Sequence, residues 1–318
     1  MSDIKINPIQ QLFNNLSSVI YGKNEVLLFT LTTLLCRGHL LIEDVPGLGK
    51  TTLAKSLARS LDMEFNRIQC TPDLMPSDIT GINIYNSEEH RFHFMPGPVF
   101  ADILLADEIN RATPRTQSAL LEAMAERSVS LDRETHKLSD HFMVVATQNP
   151  VESAGTYPLP EAQLDRFFMR ISLGYPDQSE EIKILTHQPH EQPLQGLKAV
   201  MNPEELHRMG QLASQTRIDE SLYRYITDLV RATREQPAVR LGSSPRGSLA
   251  LTSASKAFAY LTGNKFVTPD IIQKLIEPVL GHRLIFNDAH LYQADARSQF
   301  FSDLIGKVTV PDYVETAA

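Results

Sequence analysis

The most chemically pointed residues of this 318-residue chain lie where an apolar run gives way to a helical pattern. The stretch is Asp44-Val45-Pro46-Gly47-Leu48-Gly49-Lys50-Thr51-Thr52, directly after His39–Glu43. A phosphate-cradling loop asks for glycine, four residues, then Gly-Lys-Ser/Thr. Here Asp44 stands at the first glycine position, and Gly47, Gly49, Lys50 and Thr51 remain. Glycines let backbone N–H groups turn inward around phosphate, and the helix N-terminus adds its positive end. Val45, Pro46, Gly47, Leu48, Gly49, Lys50, Thr51 and Thr52 are therefore read as a nucleotide-binding loop. Lys50 should reach the β- and γ-phosphates and Thr51 should hold Mg²⁺. The alternative is a chance Gly-Lys-Thr in a tight turn.

A second strand, Asp102–Asp107, ends in two adjacent carboxylates, Asp107 and Glu108. Ligands bind at the C-terminal ends of strands in such sheets. Asp107 would assist Mg²⁺ through water, and Glu108 would polarise an attacking water. An exposed strand end with no role is the other reading. A third strand ends in Thr147-Gln148-Asn149 before Pro150. Asn149 either caps a turn or helps orient the water.

Two arginines and one turn complete the candidates. Arg166, in Glu161–Phe168, is either a surface arginine paired with Asp165 or Glu161, or an arginine finger for a neighbouring subunit's ATP. Arg246 follows the helix-start signal Ser244-Pro245, where a cation sits at the unfavourable end of the macrodipole. It is either a tolerated surface arginine or a ligand for a γ-phosphate. Ile20-Tyr21-Gly22 is the turn into a helix, and Tyr21 and Gly22 could also wall an adenine. The guanine-reading pattern NKxD is absent, since Asn264-Lys265 is followed by Phe266-Val267.

These residues need a scaffold, and the chain supplies one. Short apolar runs at 39–43, 65–69, 102–107, 142–147 and 168–172 lack strict alternation. That pattern belongs to a parallel sheet covered on both faces. Helices are expected at Thr51–Leu61 and Pro114–Arg127, the latter with Leu120, Leu121 and Met124 at helical spacing. Two β-like pairs, within Asp78–Phe94 and Ser128–Leu138, read as hairpins inserted before core strands, or as surface decoration. After Tyr175 the strand signals stop, and His187–Pro193 marks a junction. Helices start cleanly at Asn202-Pro203, Ser244-Pro245 and Thr268-Pro269. The expected divisions are 1–175 for an α/β core, 176–193 for a linker and first lid helix, and 194–318 for an all-helical domain. Val314–Ala318 is expected to fray.

Composition narrows the classes. With 42% hydrophobic, 21% charged and 7% aromatic residues, a disordered or fibrous chain is excluded. Two cysteines, Cys36 and Cys70, give neither a disulfide scaffold nor a cysteine zinc site, and suit a reducing, cytoplasmic setting. The N-terminal residues lack a charged-then-apolar leader pattern. The longest apolar stretch, Val26–Cys36, is too short to span a bilayer. A formal net charge of −8 disfavours nucleic acid and anionic membrane. His187 and His190 are separated by Pro189 and make no metal pair.

Taken together, these motifs resemble the MoxR family of AAA+ ATPases. The resemblance is carried by Leu41–Lys55, Asp73–Gly81, Phe94–Met124, Ala146–Pro150, Tyr157–Met169 and Gly242–Leu251, in family order. It implies an α/β AAA+ P-loop core with a parallel five-stranded sheet wrapped by helices, two inserted hairpins, and a small helical lid. Lys50 and Thr51 are then Walker A, Asp107 and Glu108 Walker B, Asn149 sensor 1, Arg166 the arginine finger and Arg246 sensor 2. The hairpins look like the helix-2 insert and the presensor hairpin. The resemblance also implies ATP and Mg²⁺, a ring that is commonly hexameric, chaperone-like action on client proteins, and a von Willebrand factor A domain partner. Two other functions compete: a nucleic-acid motor, with Arg133, His136 and Lys137 touching phosphate, and a nucleotide-switched scaffold.

Overall fold

The computed structural model describes residues 8–132, 134–150, 155–186 and 192–312. The chain divides into two compact units. One holds Met1–Thr30, His39–Arg166 and Ile171–Leu206; the other holds Leu31–Gly38, Phe167–Arg170 and His207–Ala318. Residues 187–191 of the expected junction, with His187 and His190, and the C-terminal Val314–Ala318 lie outside the described residues.

In chain order the elements begin with α1 (Pro8–Ser17), α2 (Asn24–Leu35), β1 (Leu40–Glu43), α3 (Lys50–Ser60) and β2 (Phe65–Gln69). They continue with α4 (Pro76–Thr80), β3 (Gly81–Asn86), β4 (Arg91–Pro96), β5 (Ile103–Asp107), α5 (Pro114–Glu126), β6 (Ser128–Leu131) and β7 (Glu134–Lys137). Next come β8 (Met143–Gln148), α6 (Glu161–Leu164), β9 (Met169–Ile171), α7 (Gln178–Thr186), α8 (Gln192–Gly196) and α9 (Pro203–Ser214). The last are α10 (Glu220–Glu235), β10 (Val239–Leu241), α11 (Pro245–Leu261), α12 (Pro269–Leu280), β11 (Ile285–Phe286) and α13 (Ala294–Lys307).

All five expected core strands form and join one sheet, in the order β2-β5-β8-β1-β9. The pairs β2/β5, β5/β8 and β1/β8 are parallel. The apolar runs are buried as their lack of alternation requires: Leu40, Leu41 and Ile42 of β1, and Ile103, Leu104 and Leu105 of β5, are at most 1% exposed. Each such side chain contributes about 1.5–3 kcal/mol of burial. Register sets the strand tips level. Gln69 pairs with Asp107, Ala106 with Ala146, and both Ile42–Thr147 and Glu43–Gln148 align.

Both expected hairpins are present. Strands β3 and β4 pair antiparallel from Gly81↔Pro96 to Asn86↔Arg91. Strands β6 and β7 pair from Ser128↔Lys137 to Leu131↔Glu134. They touch each other: Phe94 stacks on His136 with ring centroids 3.9 Å apart, and Asn83 Nδ2 donates to Asp132 at 2.7 Å. His136, a candidate phosphate contact, is thus occupied by an aromatic ring, and Arg133 lies outside the described residues.

The second unit is mainly helical. On α10, Leu222, Tyr225, Ile226, Leu229, Val230 and Thr233 form one buried stripe. Asp219 caps this helix by accepting the Ser221 amide at 2.9 Å. The three proline starts fall at Pro203, Pro245 and Pro269 as expected. One detail corrects the all-helical expectation. Strands β10 and β11 pair antiparallel, Val239 with Phe286 and Leu241 with Ile285. Segments of three and two residues are too short to carry a period-2 pattern. No helix among the described residues is long and apolar enough to cross a membrane.

Candidate active site

The loop between β1 and α3 turns on two glycines. Gly47 and Gly49 both have φ +89°, a left-handed backbone that glycine adopts without steric cost. Gly49 sits at the N-cap of α3, with no side-chain cap, so the first helical amides of Lys50, Thr51 and Thr52 open the helix at the loop. Lys50 is only 9% exposed, and its Nζ donates to the carbonyl of Asp44 at 2.7 Å. Burial pushes the Lys50 ammonium below its ordinary range, while Asp44, Asp107 and Glu108 pull it back up. Three carboxylates thus act on one ammonium, which places Lys50 with both acids at the end of β5.

Those acids are held by neighbours on adjacent strands. Asp107 Oδ1 accepts the Thr147 hydroxyl at 2.6 Å, and Oδ2 accepts Arg67 Nη2 at 2.7 Å. Glu108 has its amide on Thr147 Oγ1 at 2.8 Å, and its Oε2 takes Gln69 Nε2 at 3.0 Å and Arg111 Nη1 at 3.2 Å. Its φ is +55°, a conformation disfavoured for a residue with a Cβ and frequent at functional sites. Cys70 lies beside them, its amide on Asp107 O at 2.9 Å. Burial, then the two carboxylates, push its thiol up to about 12, which disfavours the thiolate.

Asn149 is buried one residue beyond β8. Tyr21 and Gly22 form the turn into α2, and Gly22 has φ +68°. A Cβ on Gly22 would fall 1.3 Å from Glu180 Oε1, so that turn is closed over by the start of α7. Arg166 is an exposed residue just past α6, and its guanidinium donates to the Leu121 carbonyl of α5. Arg246 is exposed in the first turn of α11, where its amide reaches Ser244 Oγ at 3.3 Å. Lys50, Asp107 and Glu108 are therefore brought together within one unit, while Arg246 belongs to the other.

For a divalent cation, the described residues offer no cluster of three or more His, Cys, Asp or Glu. The Thr51 hydroxyl and the Asp107 carboxylate are hard oxygen donors, and Asp107 already has both oxygens in hydrogen bonds. Such a set suits Mg²⁺, which keeps its waters and takes one or two protein oxygens plus phosphate.

Sequence reasoning missed the partners Arg67, Gln69 and Arg111. Arg67 and Gln69 lie outside every motif, and only the β2/β5 register brings them to the acids; Arg111 lies within Phe94–Met124, three residues past Glu108, with no role read for it.

Comparison with known proteins agrees with this geometry. A family model described as the ATPase family associated with various cellular activities (AAA) matches residues 39–169, and an AAA lid domain model matches 231–300. Fold and site define a nucleotide-binding AAA-type ATPase. YeaC of Bacillus subtilis (strain 168) is 45% identical over 297 residues, 93% of each chain. Chaperone MoxR1 of Mycobacterium tuberculosis is 38% identical, covering 88% of this chain and 76% of the relative, and MoxR of Paracoccus denitrificans is 32% identical. A crystal structure of a proposed ATPase from Cytophaga hutchinsonii superposes with a TM-score of 0.88 at 36% identity, covering 96% of both chains. The chain belongs to the MoxR family of AAA+ ATPases.

Proposed function

We propose that this ATPase is Mg²⁺-dependent, works as a ring, commonly a hexamer, and spends hydrolysis on remodelling or activating client proteins. The supporting observation is the row of strand ends that sets Lys50 among Asp44, Asp107 and Glu108. In this reading the loop 45–52 and Lys50 grip the β- and γ-phosphates. Glu108 polarises the attacking water and Asn149 orients it. Tyr21 and Gly22 flank the adenine. Thr51 and, through water, Asp107 hold Mg²⁺, which when bound neutralises charge on the β- and γ-oxygens. Arg166 serves a neighbour's nucleotide, and Arg246, as sensor 2, is a ligand for a γ-phosphate.

The first hairpin supports the client reading. Phe92 is 68% exposed and Tyr85 51%, in T-shaped contact on one face. Between the two hairpins and the starts of α4 and α5 lies a cavity of about 990 Å³, lined by apolar side chains such as Met75 and Ile82 and by polar ones such as Asn83, Arg115 and Asp132. An open surface of mixed character beside exposed aromatics suits an extended polypeptide. The von Willebrand factor A partner rests on the family resemblance, and a cytoplasmic setting on the two free cysteines. The −8 charge and the occupied His136 weigh against a nucleic-acid motor.

The test is mass measurement with and without ATP and Mg²⁺, alongside phosphate release per chain across a dilution series. Assembly with ATP and a rate that falls on dilution are expected. A monomer that hydrolyses at an unchanged rate would overturn the ring. Glu108→Gln, which should hold ATP without turnover, then serves to retain bound clients.

A further inference from the structure

Asp44 departs from the phosphate-loop pattern, and the structure explains why it can. It is not among the residues with left-handed backbone, so the position does not demand glycine. The side chain is 7% exposed, and its charge is fully engaged. Oδ1 accepts the Ser172 hydroxyl at 2.7 Å and the Gly174 amide at 3.4 Å, and Oδ2 accepts the Leu173 amide. Its backbone is engaged too. The amide donates to Gln148 O at 3.1 Å, next to Asn149, and the carbonyl takes Lys50 Nζ at 2.7 Å. One residue therefore joins the tips of β1 and β8, the lysine of the loop, and the stretch between β9 and α7.

We propose that Asp44 is a positioning residue that couples the grip of Lys50 on phosphate to the backbone of Ser172–Gly174. The inference rests on the reading of residues 45–52 as the phosphate cradle. The Lys50 ammonium bonds the Asp44 carbonyl at 2.7 Å and feels the Asp44 carboxylate, and it is the same ammonium the phosphates recruit. As Lys50 turns to phosphate, the carboxylate loses counter-charge. A less compensated carboxylate strengthens its charge-assisted hydrogen bonds to Ser172, Leu173 and Gly174. Loop occupancy then tightens the segment that leads into α7. A glycine at position 44 has no side chain to do this.

The readout is amide hydrogen exchange at Leu173 and Gly174 with and without ATP, paired with ATP affinity from a fluorescent analogue. In the unaltered chain ATP should slow exchange at both amides. Asp44→Asn keeps the shape but removes the charge. It should lose that ATP-dependent slowing and weaken ATP binding about tenfold, the scale of one charge-assisted hydrogen bond. Ser172→Ala, which leaves Asp44 and the two amides in place, should retain the slowing in reduced form. If Asp44→Asn only lowers the melting temperature, with the ATP-dependent exchange intact, Asp44 is a structural bond and the proposal is overturned. If the unaltered chain binds no ATP at all, the cradle reading itself falls, and the coupling with it.

Discussion

Thr147 donates its hydroxyl hydrogen to Asp107 Oδ1 at 2.6 Å. The hydroxyl oxygen, Thr147 Oγ1, in turn accepts the Glu108 amide at 2.8 Å, so one fully buried side chain sets both acids of the strand end. Thr147→Val keeps the volume and removes both bonds. Leaving these groups unpaired costs about 1–3 kcal/mol of stability. Misplacing the reacting groups should cut turnover by about 10²-fold. Phosphate release and thermal unfolding read the two effects separately, and unchanged turnover would deny Thr147 its positioning role.

Arg166 tests whether sites are shared. Its guanidinium bonds the Leu121 carbonyl in its own chain. Fingers of this kind contribute about 10³–10⁵ in rate. Arg166→Ala should keep ATP binding and lose most turnover. Mixing it with Lys50→Ala subunits should restore part of the rate, because each variant supplies what the other lacks. A mixture no faster than its parts would place Arg166 outside the neighbour's site.

Gly49→Ala isolates backbone from space. A Cβ there meets nothing within 4 Å, so only the φ of +89° resists it. A left-handed alanine costs about 1–2 kcal/mol. If the loop relaxes to relieve this, its amides turn from the phosphates, and ATP affinity should fall by more than the loss of stability explains. Equilibrium binding beside denaturant unfolding decides it.

His39 makes the fold acid-sensitive. Its Nδ1 accepts the Val144 amide at 3.0 Å, and its Nε2 meets the Met124 carbonyl at 3.1 Å. Burial first, then nearby Arg127, lower its pKa from 6.5 to about 4. The unfolded chain therefore takes up the proton before the folded one. The neutral histidine's contribution is complete above about pH 6.5 and drains away as pH falls towards 4, by about 3 kcal/mol. His282, buried in the other unit and also lowered, adds to the same trend. Urea unfolding at pH 7 and pH 5 should show the loss, and His39→Gln should flatten part of it. An identical pH slope in His39→Gln would rule His39 out as a source.

Much of this was legible in the residues. Runs such as Ile103–Ala106 announce buried strands because nothing in them faces water, and Gly47 and Gly49 announce a left-handed turn opening a helix. What was hidden depends on register. Arg67 and Gln69 reach the acids only because β2 pairs with β5 so that Gln69 faces Asp107. The grasp of Asp44 on Ser172–Gly174 joins residues more than a hundred positions apart, with no local pattern to signal it. Helix α1 passed unread, although Ile9, Leu12 and Leu16 carry its buried stripe. Strands β10 and β11 were too brief to leave a trace.

The contact of Phe94 with His136, with the bond from Asn83 to Asp132 beside it, makes the two projecting hairpins one lever. The second hairpin begins two residues after α5, which itself starts shortly after Glu108. A load on either ribbon is therefore shared by both, and through α5 it reaches the chain just beyond Glu108.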